Sequence, residues 1–203
     1  NNNVNANNES DYNEELDFPI TIEEILAAIK QLKRNKAHGV DNLLNEYFIE
    51  CSDILSPYLC KLFNTVLDSG CFPDVWSEGI VIPLFKKGCL SKLFTTVLNK
   101  IISSYCDKYN TVSDAQFGFR KGRSTTDATF ALLSLVQNYL NNNKRLFVAF
   151  IDLKKKFDII YRIALWFKLH KADIRGKLLR VICNMNSHVK SCVKHCNKFS
   201  DFF

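Results

Sequence analysis

The sequence lacks the segments that mark membrane and secreted proteins. Its 203 residues contain no apolar run long enough to cross a bilayer, so we expect neither a membrane span nor a membrane partner. No basic and apolar leader opens the chain, and its eight Cys are therefore expected to be reduced thiols rather than a disulfide framework. The first residue is Asn1 and the single Met is Met185, so we expect a piece of a longer protein.

Glutamate is missing from the second part of the chain. Residues 89–203 contain 20 Lys and Arg against 7 acidic residues, all of them Asp, which gives a net charge of +13. Residues 1–88 contain 7 Lys and Arg against 14 Asp and Glu, which gives −7. A basic block of this kind indicates a polyanionic partner, most simply nucleic acid, although a basic solvated surface is the alternative.

Periodic apolar residues predict helices through most of the chain after residue 19. The Asn-rich stretch 1–19 is expected to be a disordered tail. One helix is predicted from Thr21, where Glu24 completes a capping box, and another from Ser56 to a stop at Gly70. The other predicted elements are helices over Leu90–Tyr109 and from Ser124 or Thr125 to Leu140, two shorter helices after Asp158, and strands over Gly79–Phe85 and Val189–Val193.

The apolar stretch Leu146–Leu153, LFVAFIDL, is predicted to be a strand. Alternate residues give two apolar faces, so the strand is expected to be buried on both sides inside a sheet. Asp152 is the exception, and a buried carboxylate is costly unless something compensates it. A metal ion at the carboxyl end of the strand would do so. From spacing alone a second interpretation stays open, in which Asp152 caps the next helix and Lys154–Lys156 is a solvated charge run.

A second motif is the basic block Gln116–Ala128, QFGFRKGRSTTDA. Its cations offer charge-assisted contacts to phosphate, and its two Phe side chains are suited to packing or stacking. An ordinary basic loop before a helix would explain the same residues. The residues in question are Arg120, Lys121, Arg123, Phe117 and Phe119.

A third candidate motif is a group of Cys and His residues near the end of the sequence. Their spacing matches neither a zinc finger nor a zinc knuckle, so the group is not predicted to bind zinc. Its members are Cys183, His188, Cys192, His195 and Cys196.

Taken together, four stretches resemble the reverse transcriptases of non-LTR retrotransposons. FVAFIDLKKKFD resembles their motif A, and QFGFRKGRSTTDA resembles the block that precedes motif A. NKAHGVDN and GIVIPLFKKG resemble two segments of the fingers. The resemblance implies an α+β fold, namely the fingers (20–144) and the first part of the palm (145–203) of an incomplete right-hand polymerase. It also implies an RNA template and a DNA primer as partners, and the nucleus or cytoplasm as the compartment.

The resemblance assigns roles to residues of this chain. Asp152 matches the motif A ligand of Mg²⁺, with the Leu153 carbonyl as its companion. Phe157 matches the aromatic side chain that lies against the nucleotide sugar, and Asp158 matches a supporting carboxylate. Lys86 and Lys87 are candidate contacts to the incoming nucleotide. The block before motif A lies near the template in the family, which makes Arg120, Lys121 and Arg123 candidate nucleic-acid contacts.

The sequence departs from the family in ways that bear on catalysis. Lys156 stands where the family has a small Ala, a fingers insert with its Arg is missing, and no Ala-Asp-Asp box occurs anywhere in the chain. With one carboxylate of the set, a two-metal site cannot assemble. We therefore expect a truncated RNA-directed DNA polymerase that is inactive as this chain. A non-catalytic nucleic-acid-binding remnant is the alternative, followed by a decayed sequence without a role and, last, a metal-dependent phosphohydrolase using Asp152 and Asp158.

Overall fold

A computed structural model describes most of the chain in two compact units. One unit comprises residues 1–102 and 163–203, and the other comprises 103–162. The described residues are 12–36, 41, 43–81, 90–154, 160–187, 190–195 and 198–201.

The described chain is mostly helical. Three short strands form a small sheet in which β1 pairs in parallel with β2, and β2 pairs antiparallel with β3. No helix among the described residues is both long enough and apolar enough to cross a membrane. In chain order the elements are α1 Ile22–Ile29, α2 Asn45–Glu50, α3 Ser52–Ser69, α4 Asp74–Ser77, β1 Glu78–Val81, α5 Leu90–Lys108, α6 Thr125–Asn141, α7 Arg162–Lys171, α8 Gly176–Met185, β2 Lys190–His195 and β3 Lys198–Phe199.

Local signals set several helix ends where the sequence predicts them. The Thr21 hydroxyl accepts the Glu24 N–H while the Glu24 carboxylate accepts the Thr21 N–H, which is the predicted capping box of α1. Gly70 ends α3 in the left-handed conformation, with φ +69°. The predicted start of α3 was wrong, because the helix begins at Ser52 and so includes Pro57 inside it.

The core of the first unit is built on a cluster of aromatic rings. Phe63 of α3 and Phe94 of α5 are fully buried, with ring centroids 5.0 Å apart. Trp76 of α4 lies 6.2 Å edge-on from Phe63 and 5.7 Å from Phe94, and Phe72 lies 5.5 Å from Trp76. Such pairs each contribute about 0.5–1.5 kcal/mol beyond the apolar area they bury. The cluster therefore joins α3, α4 and α5 into one packed layer.

Helix α8 is capped by a residue that is remote in sequence. Its own N-cap residue makes no side-chain cap. Instead the buried Asp17 carboxylate accepts the backbone N–H of Lys177 at 2.7 Å and that of Leu178 at 3.4 Å. A carboxylate at this position also interacts favourably with the positive end of the helix dipole. Gly176 permits the approach, because a Cβ at this residue would lie 1.9 Å from the Asp17 Oδ2 atom.

The predicted central strand is the main error of the sequence analysis. Leu146–Leu153 has no regular secondary structure, and the side chains of Phe147, Phe150 and Ile151 are 90%, 83% and 87% exposed. A strand buried on both faces needs neighbouring strands and a packed layer on each side. None of the described strands pairs with this segment. Its apolar side chains therefore have no sheet among the described residues in which to be buried.

The 103–162 unit buries little of its apolar surface. Helix α6, which is described over its whole length, contains no buried side chain. Tyr105 is the one buried hydrophobic residue that the structure describes between 103 and 162. The large exposed apolar side chains of α6 are Phe130, Leu133, Leu135 and Leu140.

The Asp17 cap makes Gly176 sensitive to substitution. We expect Gly176→Ala to lower the free energy of unfolding by roughly 3 kcal/mol, because it adds backbone strain at φ +65° and displaces hydrogen bonds to a charged carboxylate. Gly70→Ala is the matched control in the same unit, since φ is +69° there but the nearest atom lies 3.2 Å from the added Cβ. Urea unfolding followed by circular dichroism measures both.

A double-mutant cycle tests whether the contact itself is responsible. In a chain that already carries Asp17→Ala, the added Cβ meets no carboxylate, so Gly176→Ala should cost only the backbone strain of about 1 kcal/mol. Equal costs in the two backgrounds would show that Asp17 does not cap α8 in this way.

Candidate nucleic-acid interface

Residues 125–128 of the basic block predicted from the sequence begin α6, and the rest of the block lies in the loop between α5 and α6. The loop ends at Ser124, whose hydroxyl accepts the Asp127 N–H while the Asp127 carboxylate accepts the Ser124 N–H and O–H. The Ser124 hydroxyl, followed by its N–H, holds the pKa of Asp127 below its ordinary value. This cap therefore stabilises α6 above the unfolded pKa of about 3.9 and is lost as pH falls through the lowered folded value.

One carboxylate organises the cations of this loop. The Asp114 Oδ1 atom lies 3.0 Å from an Arg123 Nη2 and 3.5 Å from an Arg120 Nη1. The same Arg120 nitrogen donates to the Ser113 carbonyl at 3.0 Å. The Arg120 side chain is only 16% exposed, whereas that of Asp114 is 90% exposed. The two guanidinium groups are thus held together on one carboxylate at the surface.

The two Phe residues of the loop have different environments. Phe117 is half-buried beneath Arg123, whose guanidinium lies 5.7 Å from the ring centroid. Phe119 is 91% exposed and has φ +60°, a left-handed conformation that costs a residue with a Cβ roughly 1–2 kcal/mol. Lys121 lies two residues further on and is exposed. The loop therefore presents the Phe119 ring and Lys121 to solvent, beside the partly exposed Arg123.

The predicted catalytic residues are only partly described. Asp152 is exposed in the irregular segment that follows α6, and Leu153 is exposed beside it. The structure brings Arg120 and Arg123 together, but among the described residues Asp152 belongs to no group of three or more His, Cys, Asp or Glu that could hold a metal ion. Four of the predicted site residues lie outside the described residues: Lys86, Lys87, Phe157 and Asp158.

Metal-ligating side chains are not clustered in the part of the chain that the structure describes. No group of three or more His, Cys, Asp or Glu that could hold a metal ion occurs there. In the Cys and His group near the end, Cys192 is buried and burial raises the pKa of the Cys183 thiol. His188 and Cys196 fall outside the described residues.

Asp114 is the residue that sequence reasoning missed. A single Asp ahead of a basic block looks like an ordinary turn residue, since Ser and Asp both favour turns. Its distance of nine residues from Arg123 matches no helical or strand spacing. Only the fold of the loop shows that it binds both arginines.

We expect Asp114→Ala to loosen the loop. Exposed ion pairs contribute about 0.2–1 kcal/mol each, so tryptic cleavage after Lys121 and Arg123 should become about two- to fivefold faster. Mass spectrometry of a timed digest gives the rates. Asp107→Ala is the control, because Asp107 is an exposed Asp of α5 in the same unit. Identical cleavage rates in the wild type, Asp114→Ala and Asp107→Ala would contradict the role of Asp114 in holding the two arginines.

Comparison with known proteins finds similarity to the RNA-directed DNA polymerases of mobile elements. No family profile matches it. It is 27% identical over 169 residues to a probable RNA-directed DNA polymerase from transposon BS of Drosophila melanogaster, a match that covers 75% of this chain. The RNA-directed DNA polymerases of the mobile element jockey are 26% identical, over 166 residues in D. melanogaster and 181 residues in D. funebris.

These matches cover 73–81% of this chain but only 18–20% of the relatives. The chain thus spans about a fifth of the length of the curated relatives that it matches. The resemblance seen in its sequence motifs is confirmed: over about three quarters of its length, the chain is related to the RNA-directed DNA polymerases of non-LTR retrotransposons.

Proposed function

We propose that this chain is a nucleic-acid-binding segment of an RNA-directed DNA polymerase and that the loop 113–124 contacts the RNA template. The observation that carries the proposal is the pair of arginines held on Asp114 within the block that resembles the family's template-side motif. Fixed guanidinium groups lose little side-chain entropy when they bind, and they suit phosphate oxygens. The +13 charge of residues 89–203 supports the same partner class.

The cations of the loop divide into two roles in this proposal. Arg120 is largely enclosed, so it acts mainly by fixing the loop. Arg123 remains partly exposed at 36% and keeps a face toward solvent while it binds Asp114. Lys121 is exposed and makes the most direct phosphate contact. Asp114 cancels part of the positive charge of the loop, which weakens its long-range attraction for nucleic acid. The main effect of the loop is therefore to hold a bound nucleic-acid strand in position.

The catalytic part of the proposal rests on resemblance. Asp152 and the Leu153 carbonyl would hold Mg²⁺, with Asp158 in support and with Phe157, Lys86 and Lys87 toward the nucleotide. Mg²⁺ takes oxygen ligands, and nucleotidyl transfer uses two such ions between several carboxylates. The described residues do not fit such a centre, because they include no group of three or more His, Cys, Asp or Glu that could hold a metal ion, and Asp158 lies outside them.

Binding without polymerisation is the function that this polypeptide supports best. The sequence contains no Ala-Asp-Asp box. Asp152, the one carboxylate that matches motif A, is exposed, as are the residues beside it. The alternative of a non-catalytic nucleic-acid-binding protein makes the same use of the loop. The polymerase segment and the non-catalytic binding protein differ only in whether Asp152 contributes to catalysis when the rest of a polymerase is present.

We expect the chain to bind a fluorescent 20-nucleotide RNA with strong salt dependence. If Lys121 and Arg123 each meet a phosphate, raising KCl from 50 to 200 mM should weaken binding about 7-fold. Lys121→Ala should reduce the salt slope by about 0.7, because one phosphate contact is lost. Fluorescence anisotropy titrations at four salt concentrations give both values.

Two control variants accompany this titration. Lys61→Ala removes the same charge from an exposed position on α3, in the acidic part of the chain, and should leave the slope unchanged. Asp152→Ala should also leave binding unchanged. A slope that falls equally in Lys61→Ala and Lys121→Ala would contradict the assignment of the loop.

We expect no primer extension by this chain. A single motif A carboxylate cannot position two ions, so an annealed RNA template and DNA primer with nucleotides and Mg²⁺ should yield no extended product on a sequencing gel. Extension that disappears in Asp152→Ala would overturn this expectation and would mean that other carboxylates complete the site.

A further inference from the structure

Phe119 has a combination of properties that its loop does not explain. It is a large aromatic side chain with 91% of its surface exposed, and it adopts the left-handed conformation that a Gly would take without strain. It contributes nothing to the buried core of the protein. Strained residues of this kind persist where the surrounding structure holds them, and they concentrate at ligand-binding positions.

The loop holds Phe119 from both sides. Ahead of it, the Gln116 side chain donates to the Gly118 carbonyl at 3.3 Å. Behind it, the Arg123 N–H donates to the Arg120 carbonyl at 3.4 Å, in a turn that Gly122 completes with φ +73°. The backbone that carries the ring is thus constrained on both sides before any ligand arrives, which reduces the entropy lost on binding.

The surroundings of Phe119 suit a ligand that combines a flat apolar face with negative charge. Arg120 and Lys121 follow it directly in sequence, and Lys121 is exposed. Single-stranded nucleic acid has both features, because each nucleotide pairs a stackable base with a phosphate. The neighbouring Phe117 is less suited to this role, since it is half-buried and Arg123 lies over one face of its ring.

We propose that Phe119 is a stacking platform for one base of a single-stranded nucleic acid, with Lys121 on an adjacent phosphate. The inference rests on the proposed function, because it requires that the loop binds nucleic acid at all. It adds that the strand is read as unpaired at this point, since a base inside a duplex has no free face. It also adds that much of the affinity of the loop is independent of salt.

The test compares variants that keep or remove the aromatic face. Phe119→Leu keeps apolar bulk without a π face and should weaken binding of a 20-nucleotide RNA about 5- to 100-fold at fixed salt, with the salt slope unchanged. Phe119→Trp should bind at least as tightly as the wild type. Phe130→Leu is the control, because Phe130 is an exposed Phe on α6 of the same unit.

Stacking has two direct readouts besides affinity. An oligonucleotide carrying 2-aminopurine should lose fluorescence on binding to the wild type and less on binding to Phe119→Leu. An oligonucleotide of abasic sites should bind the wild type and Phe119→Leu equally. A duplex RNA of the same length that quenches and binds as the single strand does would overturn the proposal.

Stability provides an independent check on folding. Phe119→Gly relieves the left-handed strain and should leave the Tm unchanged or raise it, yet it should weaken RNA binding as Phe119→Leu does. Salt-sensitive binding that is identical in the wild type, Phe119→Leu and Phe119→Gly overturns the stacking role alone. A wild-type chain that binds no single strand at 50 mM KCl overturns the proposed function together with it.

Discussion

The packing of Phe63 against Phe94 is the contact on which the first unit depends. It joins α3 to α5, two of the longest helices of the chain, and brings Trp76 and Phe72 over the same layer. Helices α1 and α8 both pack against α3 as well. Because aromatic rings bury a large area at a small entropic cost, a few of them can stabilise a unit whose sheet has only three short described strands.

The 103–162 unit has no equivalent contact among its described residues. Its long helix α6 leaves large apolar side chains in solvent, and residues 146–153 after α6 expose six more, most fully at Phe147, Phe150 and Ile151. Apolar surface on this scale is unusual for an independent domain. What fixes the local structure of this unit is therefore hydrogen bonding and charge, at the Ser124 cap and at Asp114.

Features that depend on near neighbours could be predicted from the sequence. The capping box at Thr21, the stop at Gly70 and the start of α6 at Ser124 each involve residues within four positions of one another. Features that depend on distant partners could not. The Asp17 cap of α8 spans 160 residues, and the strand predicted over 146–153 failed because alternation shows which residues could be buried but not what would cover them.

The same division holds for the candidate site. The sequence identified Arg120, Lys121 and Arg123 as candidate contacts, because cations near glycines are recognisable without a fold. It assigned them equal roles, whereas the loop binds two of them to Asp114. Charge alone therefore does not distinguish this loop from any basic turn. The distinguishing feature is the backbone of Phe119, which has a left-handed conformation and leaves the ring exposed. Neither property can be predicted from the sequence, because both depend on how the loop folds.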